Sequence, residues 1–146
     1  MRVTLDTYIL ISALGWQGGQ EHQIVLKCFQ RNLELVLSPE ILAELKQVAL
    51  RPKFDFSLED IEDFTTALIE CSVFVLPEER ISIINDDPKD NIFLETAVAG
   101  HVQYILSGYK HLLNLGEFRG IRILQSSEFL ALLKNPSLKS KEDRVG

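Results

Sequence analysis

Three acidic residues from distant parts of the chain could meet at one divalent cation. Asp6 closes the apolar run at the N-terminus, Glu44 lies within a helix-like segment, and Asp90 comes early in another. We call these three residues the acidic triad. Mg²⁺ takes oxygen ligands and usually keeps several waters, so three carboxylates can hold it with water positions open. Such an ion would assist attack of water on a phosphoryl group. A fourth stretch offers Tyr109 where a further acid would complete the set.

Asp6 and Glu44 each have a purely structural alternative. Asp is a favoured N-cap residue, so Asp6 could simply begin the helix that follows it. Glu44 lies at the border of the apolar face of its predicted helix, where a carboxylate is usually only solvated. That face consists of five apolar residues, Ile41, Leu42, Leu45, Val48 and Ala49. The sequence leaves both alternatives open.

Asp90 lies on the apolar stripe of its own predicted helix. Phe93, Leu94 and Ala97 follow it at the i+3, i+4 and i+7 positions. A charged group that faces a core is costly unless it is paired or binds a metal. The helix dipole offers a second reason for an acid in a first turn. Glu95 points away from the stripe, and we expect it to face solvent.

Other catalytic chemistries have little support in the sequence. The three histidines share no ligand-like spacing, and the serines lack a nucleophile-elbow context. Cys28 and Cys71 do not form a zinc-binding pattern, and they are interpreted as buried small hydrophobic residues in a reducing compartment. The glycines form neither a phosphate loop nor a dinucleotide fingerprint. The acidic run around Asp60 is interpreted as a solvated helix face.

Composition indicates one soluble domain without a basic surface field. The chain has 146 residues, of which 46% are hydrophobic and 25% charged, and its net charge is −6. This charge argues against a simple phosphate-clamping module, although an acidic site could bind a cation first and a phosphate second. No apolar run is long enough to span a bilayer, and no secretory leader pattern is visible. We therefore expect a cytoplasmic location without membrane association.

Short apolar runs alternate with segments of helical periodicity. The predicted strands are 3–5, 33–37, 73–76, 102–106 and 121–124. Helices are predicted after Asp6, over 21–31, from Ser38-Pro39 to about 50, over 58–71, from Asp87-Pro88 to 100, over 110–113 and over 127–133. This alternation is typical of an α/β fold with a parallel sheet covered on both faces. Ligands bind beyond the carboxyl ends of such strands, where Asp6 and Tyr109 are expected.

Four stretches in this order resemble the PIN-domain family, and in particular its bacterial and archaeal branch of toxin components of toxin–antitoxin systems. The stretches are VTLDTYILISAL, LELVLSPEILAELKQVALRPKF, DDPKDNIFLETAVAGHVQYILSGYKHLL and LGEFRGIRIL. The resemblance implies a three-layer α/β/α sandwich with a mainly parallel central sheet. It also implies hydrolysis of RNA phosphodiester bonds with Mg²⁺ or Mn²⁺, leaving 5′-phosphate and 3′-hydroxyl ends. By the same resemblance, Asp6, Glu44 and Asp90 are the catalytic metal ligands. We expect the PIN-like domain to cover 1–134 and a polar, flexible tail to cover 135–146.

The sequence departs from the family pattern at two site positions. The family usually has asparagine where this chain has Tyr8, and it usually has an acid where this chain has Tyr109. A phenol with a pKa of about 10 is neutral at pH 7 and binds Mg²⁺ poorly. Two hypotheses therefore stay open. The protein is either a ribonuclease weakened at this site or a degenerate PIN domain that binds RNA or a protein partner without cleaving.

The resemblance also suggests partners, and the sequence offers residues that could contact phosphates, although surface Lys and Arg often serve solubility alone. RNA is the expected substrate, and the expected protein partners are an antitoxin and a second copy of the chain in a homodimer or higher homo-oligomer. The predicted phosphate contacts are Thr7, Ser107 and Lys110, together with Arg51, Lys53 and His111.

Overall fold

The computed structural model describes residues 1–135, which form six β-strands and seven α-helices. The strands are β1 (Arg2–Leu5), β2 (Glu34–Leu37), β3 (Ser72–Phe74), β4 (Tyr104–Leu106), β5 (Glu117–Phe118) and β6 (Ile121–Leu124). The helices are α1 (Thr7–Gly15), α2 (Gln20–Phe29), α3 (Pro39–Ala49), α4 (Leu58–Cys71), α5 (Asn91–Ala99), α6 (Lys110–Leu115) and α7 (Ser126–Lys134). None of these helices is both long and apolar enough to cross a membrane. The predicted tail lies outside the described residues except for Asn135.

The strands form one sheet in the order β3-β2-β1-β4-β6-β5. All neighbouring pairs are parallel except β5 with β6. The helices flank this sheet, so the predicted α/β/α sandwich with a mainly parallel sheet is confirmed. β1 lies in the interior of the sheet and pairs with β2 on one side and β4 on the other.

The direction of strand addition reverses between β1 and β4. From β1 the chain adds β2 and then β3 on one side, and it returns to add β4 and β6 on the other. The Asp6 N–H donates to the Leu106 carbonyl at 3.0 Å, so the carboxyl ends of β1 and β4 lie side by side. Open α/β sheets bind ligands at such a topological switch point. The residues that follow β1 and β4 are therefore the candidates for a ligand-binding site.

Helix α5 packs against the central strands β1, β2 and β4 and positions Asp90 at its start. Phe93, Leu94 and Ala97 are fully buried, as the apolar stripe predicted. At the end of α5, Gly100 lies so close to β2 that a Cβ would be 2.3 Å from Val36 Cγ1. The absence of a side chain at this position allows α5 to approach the sheet closely.

Local signals predicted most helix boundaries well, because capping residues mark them. α4 has the predicted bounds, and its N-cap Ser57 accepts a hydrogen bond from the Asp60 N–H at 3.0 Å. The helix predicted from Asp87-Pro88 to Gly100 begins and ends where the sequence indicated, but its first turn is not α-helical. A 3₁₀ helix covers Pro88–Asp90, and α5 begins only at Asn91.

Strand β5 was not predicted, since its turn lacks the usual hairpin residues. Arg119 and Gly120 join β5 to β6 with φ angles of 51° and 82°. Positive φ at both central residues is typical of a two-residue hairpin turn, which usually contains Asn-Gly or Asp-Gly. Because Arg119 stands at the first turn position, the sequence lacks the Asn-Gly or Asp-Gly pair that would predict this hairpin.

Candidate active site

Asp6 follows β1 directly and acts as the N-cap of α1, as its structural alternative predicted. Its Oδ1 accepts a hydrogen bond from the Ile9 N–H at 3.0 Å. Its Oδ2 accepts hydrogen bonds from the Ser107 hydroxyl and from the Gly108 N–H, the latter at 3.1 Å. Burial raises the pKa of Asp6 to about 7, although these three hydrogen bonds act in the opposite direction. The carboxylate thus joins the end of β1 to the loop that follows β4.

Glu44 reaches the same edge of the sheet from α3. Ser38 caps this helix by accepting a hydrogen bond from the Ile41 N–H at 3.4 Å, and its hydroxyl is 2.7 Å from Thr96 Oγ1 on α5. The Thr7 hydroxyl donates a hydrogen bond to Glu44 Oε2. Glu44 is half-buried and oriented by a neighbour, so the alternative of a merely solvated side chain does not describe it.

Asp90 is buried at the start of α5, but its side chain makes no capping hydrogen bond. Burial, together with the negative charges of Asp87 and Glu44, raises its pKa to about 6, while His111 opposes the shift. The charge of Asp90 also contributes to the raised pKa of Asp6. Asp90 therefore interacts electrostatically with both other members of the acidic triad.

Asn91, which the sequence reasoning missed, fastens the preceding loop to the start of α5. Its Oδ1 accepts hydrogen bonds from the N–H groups of Ile83 and Ile84 at 3.2 and 3.0 Å. Its Nδ2 donates to the carbonyls of Ile84 and Pro88 at 2.9 and 3.1 Å. An uncharged polar residue at the head of an apolar helix was the available signal. These four bonds hold the backbone next to Asp90.

The prediction that Glu95 faces solvent was wrong, because its side chain is buried. Its Oε2 accepts a hydrogen bond from the Ile81 N–H at 2.9 Å, and its Oε1 is 3.9 Å from Arg80 Nη1. The loop before α5 covers this side of the helix, which helical periodicity alone could not reveal. Glu95 therefore has a structural contact that explains its burial.

Tyr109 follows β4 and lies within the electrostatic reach of the whole acidic triad. Burial raises the pKa of its phenol well above the usual value, and the three carboxylates raise it further, while a hydrogen bond with Thr7 opposes the shift. Its ring centroid is 6.3 Å from that of Phe93 and 6.3 Å from that of Tyr8. The phenol is therefore neutral at physiological pH and can donate a hydrogen bond where an acid would accept one.

Tyr8 lies directly against the loop that follows β4. A Cβ on Gly108 would be only 2.1 Å from Tyr8 Cδ1, so glycine is required for this approach. The Tyr8 side chain is 49% exposed and lines two cavities, of about 420 and 250 Å³. The side chains of Tyr8 and Tyr109 together form part of the surface next to the acidic triad.

The acidic triad fits a water-rich cation site better than an enclosed one. Within residues 1–135, no three His, Cys, Asp or Glu side chains are arranged closely enough to hold an ion. Both oxygens of Asp6 already accept hydrogen bonds from the protein. Mg²⁺, however, is commonly bound through one or two carboxylates, with waters and substrate phosphates as further ligands. Glu44 and Asp90 have carboxylate oxygens that could bind such an ion, and Asp6 lies beside them with a pKa of about 7.

The predicted phosphate contacts differ in accessibility. Thr7 and Ser107 are buried, and their hydroxyl groups donate to Glu44 and Asp6. Their role in phosphate binding stays a prediction, and the observed contacts give them a positioning role. Lys110 is exposed at the start of α6 and stays a predicted contact.

The larger of the two cavities opens beside Thr7 and Tyr109. Its volume is about 420 Å³, and aromatic and basic residues contribute to its wall. Two predicted phosphate contacts, Arg51 and Lys53, belong to this wall. The cavity therefore adjoins the acidic triad, because Thr7 both lines it and bonds to Glu44.

Comparison with known proteins gives two similarities. The family described as "PIN domain" matches residues 2–111, a segment that contains the acidic triad and both tyrosines. The "Uncharacterized protein MJ1680" of Methanocaldococcus jannaschii is 30% identical over 118 residues. This alignment covers 79% of the present chain and 75% of the relative.

Proposed function

The chain belongs to the PIN-domain family, and from this premise we propose that it hydrolyses RNA phosphodiester bonds with Mg²⁺ or Mn²⁺. The PIN domain is generally a metal-dependent nuclease fold. The observation that carries the proposal is the electrostatic coupling of Asp6, Glu44 and Asp90 at the switch point between β1 and β4. The charge of Asp90 raises the pKa of Asp6, the charge of Glu44 raises the pKa of Asp90, and negative charge brought together in this way needs a cation or protons to offset it.

In this proposal Glu44 and Asp90 hold the ion, and the remaining residues orient them. A bound divalent ion would lower the pKa of a water and offset charge on the phosphoryl oxygens. Thr7 orients Glu44 through its hydroxyl, and Asn91 fixes the backbone beside Asp90. The neutral Tyr109 hydroxyl would donate a hydrogen bond to a phosphate oxygen. This donor would favour RNA binding without supplying a metal ligand.

A cleavage assay with end-labelled RNA tests the proposal. We expect Mg²⁺- or Mn²⁺-dependent cleavage that EDTA abolishes and that Asp90→Asn reduces by more than about 100-fold, because loss of even a supporting residue at a metal site costs 10–100-fold. Asp63→Asn on the exposed face of α4 is the matched control and should retain full activity. Undiminished cleavage by Asp90→Asn would show that the activity does not arise at this site.

Tyr109 supports a second candidate function, a PIN domain that binds RNA or a protein partner without cleaving. A neutral phenol among the three carboxylates removes one anionic ligand from the site. Under this alternative, RNA or partner binding is measurable while no product forms at any concentration of Mn²⁺. Turnover of RNA by the purified wild-type protein, lost in Asp90→Asn, would exclude it.

The resemblance to toxin components supports a more specific version of the first proposal. Such a ribonuclease would act on RNA in the cytoplasm and would be held inactive by an antitoxin protein. Induced expression of the wild-type chain should then arrest growth, whereas Asp90→Asn should not. A homodimer is proposed on the same resemblance, and light scattering after gel filtration measures it directly.

A further inference from the structure

An exposed groove with aromatic and basic walls lies next to the acidic triad. We call it the aromatic groove and define it by Tyr8, Trp16, Arg51, Lys53 and Phe54. Trp16 is 60% exposed although it is the largest side chain type in proteins. Exposed aromatic surface of this kind, combined with cations, is typical of sites that stack nucleic acid bases.

We propose that the aromatic groove binds an unpaired base of the RNA substrate, stacked on Trp16, while Arg51 and Lys53 contact the flanking phosphates. The proposal rests on the proposed function, since it names the part of the substrate that lies beside the scissile bond. It assigns a positioning role to three residues outside the acidic triad.

The wall of the groove is held in place by contacts at the end of α1. The rings of Phe54 and Phe56 are stacked, with centroids 5.3 Å apart and planes inclined by 5°. Phe56 in turn packs on Gly15, where a Cβ would be 3.1 Å from Phe56 Cζ. Trp16 follows Gly15 directly, and the backbone N–H of Trp16 donates a hydrogen bond to the Ser12 carbonyl at 3.0 Å. The Phe54 ring and the backbone at Trp16 are therefore held in place before any ligand binds.

The charges of the groove favour a phosphate-bearing ligand, in contrast to the chain as a whole. The net charge of the protein is −6, yet the groove wall contains Arg51 and Lys53 against a single acid, Glu21. Lys53 Nζ lies 5.1 Å from the centroid of the Phe54 ring, a cation–π arrangement. A local excess of positive charge beside an aromatic surface complements a base with its phosphates.

The position of the groove connects it to the acidic triad. Thr7 and Tyr109 line one part of the cavity, and Thr7 bonds to Glu44. A base in the groove would therefore place its phosphate near Glu44. A volume of about 420 Å³ suits a small number of bases rather than a duplex, and only an unstacked base exposes its face to an aromatic ring.

The intrinsic fluorescence of Trp16 can report RNA binding directly, because Trp16 is the only tryptophan of the chain. We would titrate the full-length protein in EDTA with a short single-stranded RNA and with a duplex of the same sequence. Single-stranded RNA should quench Trp16 fluorescence, and the duplex should bind at least about 10-fold more weakly. Equal binding of the duplex would overturn the proposal.

Variants of Trp16 test whether RNA binding depends on stacking with this ring or only on the positive charges of the groove. Trp16→Ala should weaken binding of labelled single-stranded RNA in EDTA by about 10-fold or more, and Trp16→Phe should restore most of the affinity. Leu58→Ala, at another exposed apolar position, is the control and should bind as wild type. Wild-type affinity in Trp16→Ala would overturn the proposal. Absence of any RNA-dependent quenching would overturn it too, and would favour a protein partner for the groove.

The binding measurements and the cleavage assay can fail separately, so they distinguish the groove proposal from the proposed nuclease activity. Binding through Trp16 without cleavage at any metal concentration supports the groove and contradicts the proposed nuclease activity. Cleavage whose KM is unchanged by Trp16→Ala supports the nuclease activity and contradicts the groove.

Discussion

At the scale of single residues, Tyr109 lies beside the acidic triad, where the family usually has an acid. Its neutral phenol lies among groups that carry negative charge, and it packs near the rings of Phe93 and Tyr8. The ring therefore contributes packing, while its hydroxyl contributes a donor and no anionic ligand. Replacing it separates these two effects.

We predict that Tyr109→Asp strengthens Mn²⁺ binding by about 10-fold or more and increases RNA cleavage, because an added carboxylate is a hard anionic ligand. Isothermal titration calorimetry and the cleavage assay measure the two effects. Tyr109→Phe keeps the ring and removes the hydroxyl, so it should not strengthen metal binding. If Tyr109→Asp binds Mn²⁺ no better than wild type while remaining folded, the tyrosine does not replace a ligand.

The raised pKa values of Asp6 and Asp90 predict a pH-dependent stability of the metal-free protein. Both carboxyls have a pKa near 4 in the unfolded chain, but about 7 and about 6 in the folded protein. Between these values the folded state binds more protons than the unfolded state, so stability falls as pH rises. Their contribution is fully present below about pH 4 and is lost by about pH 7.

Asp90→Asn should therefore reduce the loss of stability between pH 5 and pH 8 by on the order of 1 kcal/mol. Urea unfolding in EDTA at the two pH values measures this difference. Asp63→Asn on α4 removes an exposed carboxyl and should keep the wild-type pH dependence. Identical pH dependence in Asp90→Asn and wild type would contradict the raised pKa of Asp90, whose main cause is burial.

At the scale of secondary-structure elements, α5 organises the loop that leads to Asp90. Asn91 forms four hydrogen bonds with this loop, and Glu95 forms one with the Ile81 N–H. We predict that Asn91→Ala lowers the free energy of unfolding by about 2–3 kcal/mol, since it leaves buried backbone groups without partners. Asn114→Ala at an exposed position of α6 should change it by less than about 0.5 kcal/mol. Urea denaturation tests both, and equal stability of the two variants would contradict the role of Asn91.

The elements also show which features of the site were predictable. The N-caps Ser38 and Ser57 mark α3 and α4 because capping acts between near neighbours in sequence. The burial of Glu95 was not predictable, since it depends on an irregular loop that carries no periodic signal. The location of Tyr109 beside the triad follows from the strand order, in which β4 pairs with β1. Sequence spacing and the family resemblance proposed the site residues, whereas their mutual contacts required the tertiary structure.

At the scale of the whole molecule, the proposed RNA binding would bring an anionic polymer to an acidic protein, so it would have to use a limited area of the surface. The net charge of −6 repels RNA at long range, and the aromatic groove supplies two cations at short range. Stacking does not depend on salt in the way that phosphate neutralisation does. If the groove binds RNA, the salt dependence of the affinity would therefore report the relative contributions of stacking and of phosphate contacts.

We predict a shallow salt dependence for single-stranded RNA binding in EDTA. For single strands the slope of log K against log salt is about −0.7 per neutralised phosphate, so contacts from Arg51 and Lys53 give about −1.4. Lys53→Gln should reduce the magnitude of this slope by about 0.7, whereas Lys134→Gln at the end of α7 should leave it unchanged. Fluorescence anisotropy between 50 and roughly 300 mM salt measures the slopes. A wild-type slope steeper than about −3 would mean that phosphates are contacted mainly outside the groove, because two cations cannot release that many counterions.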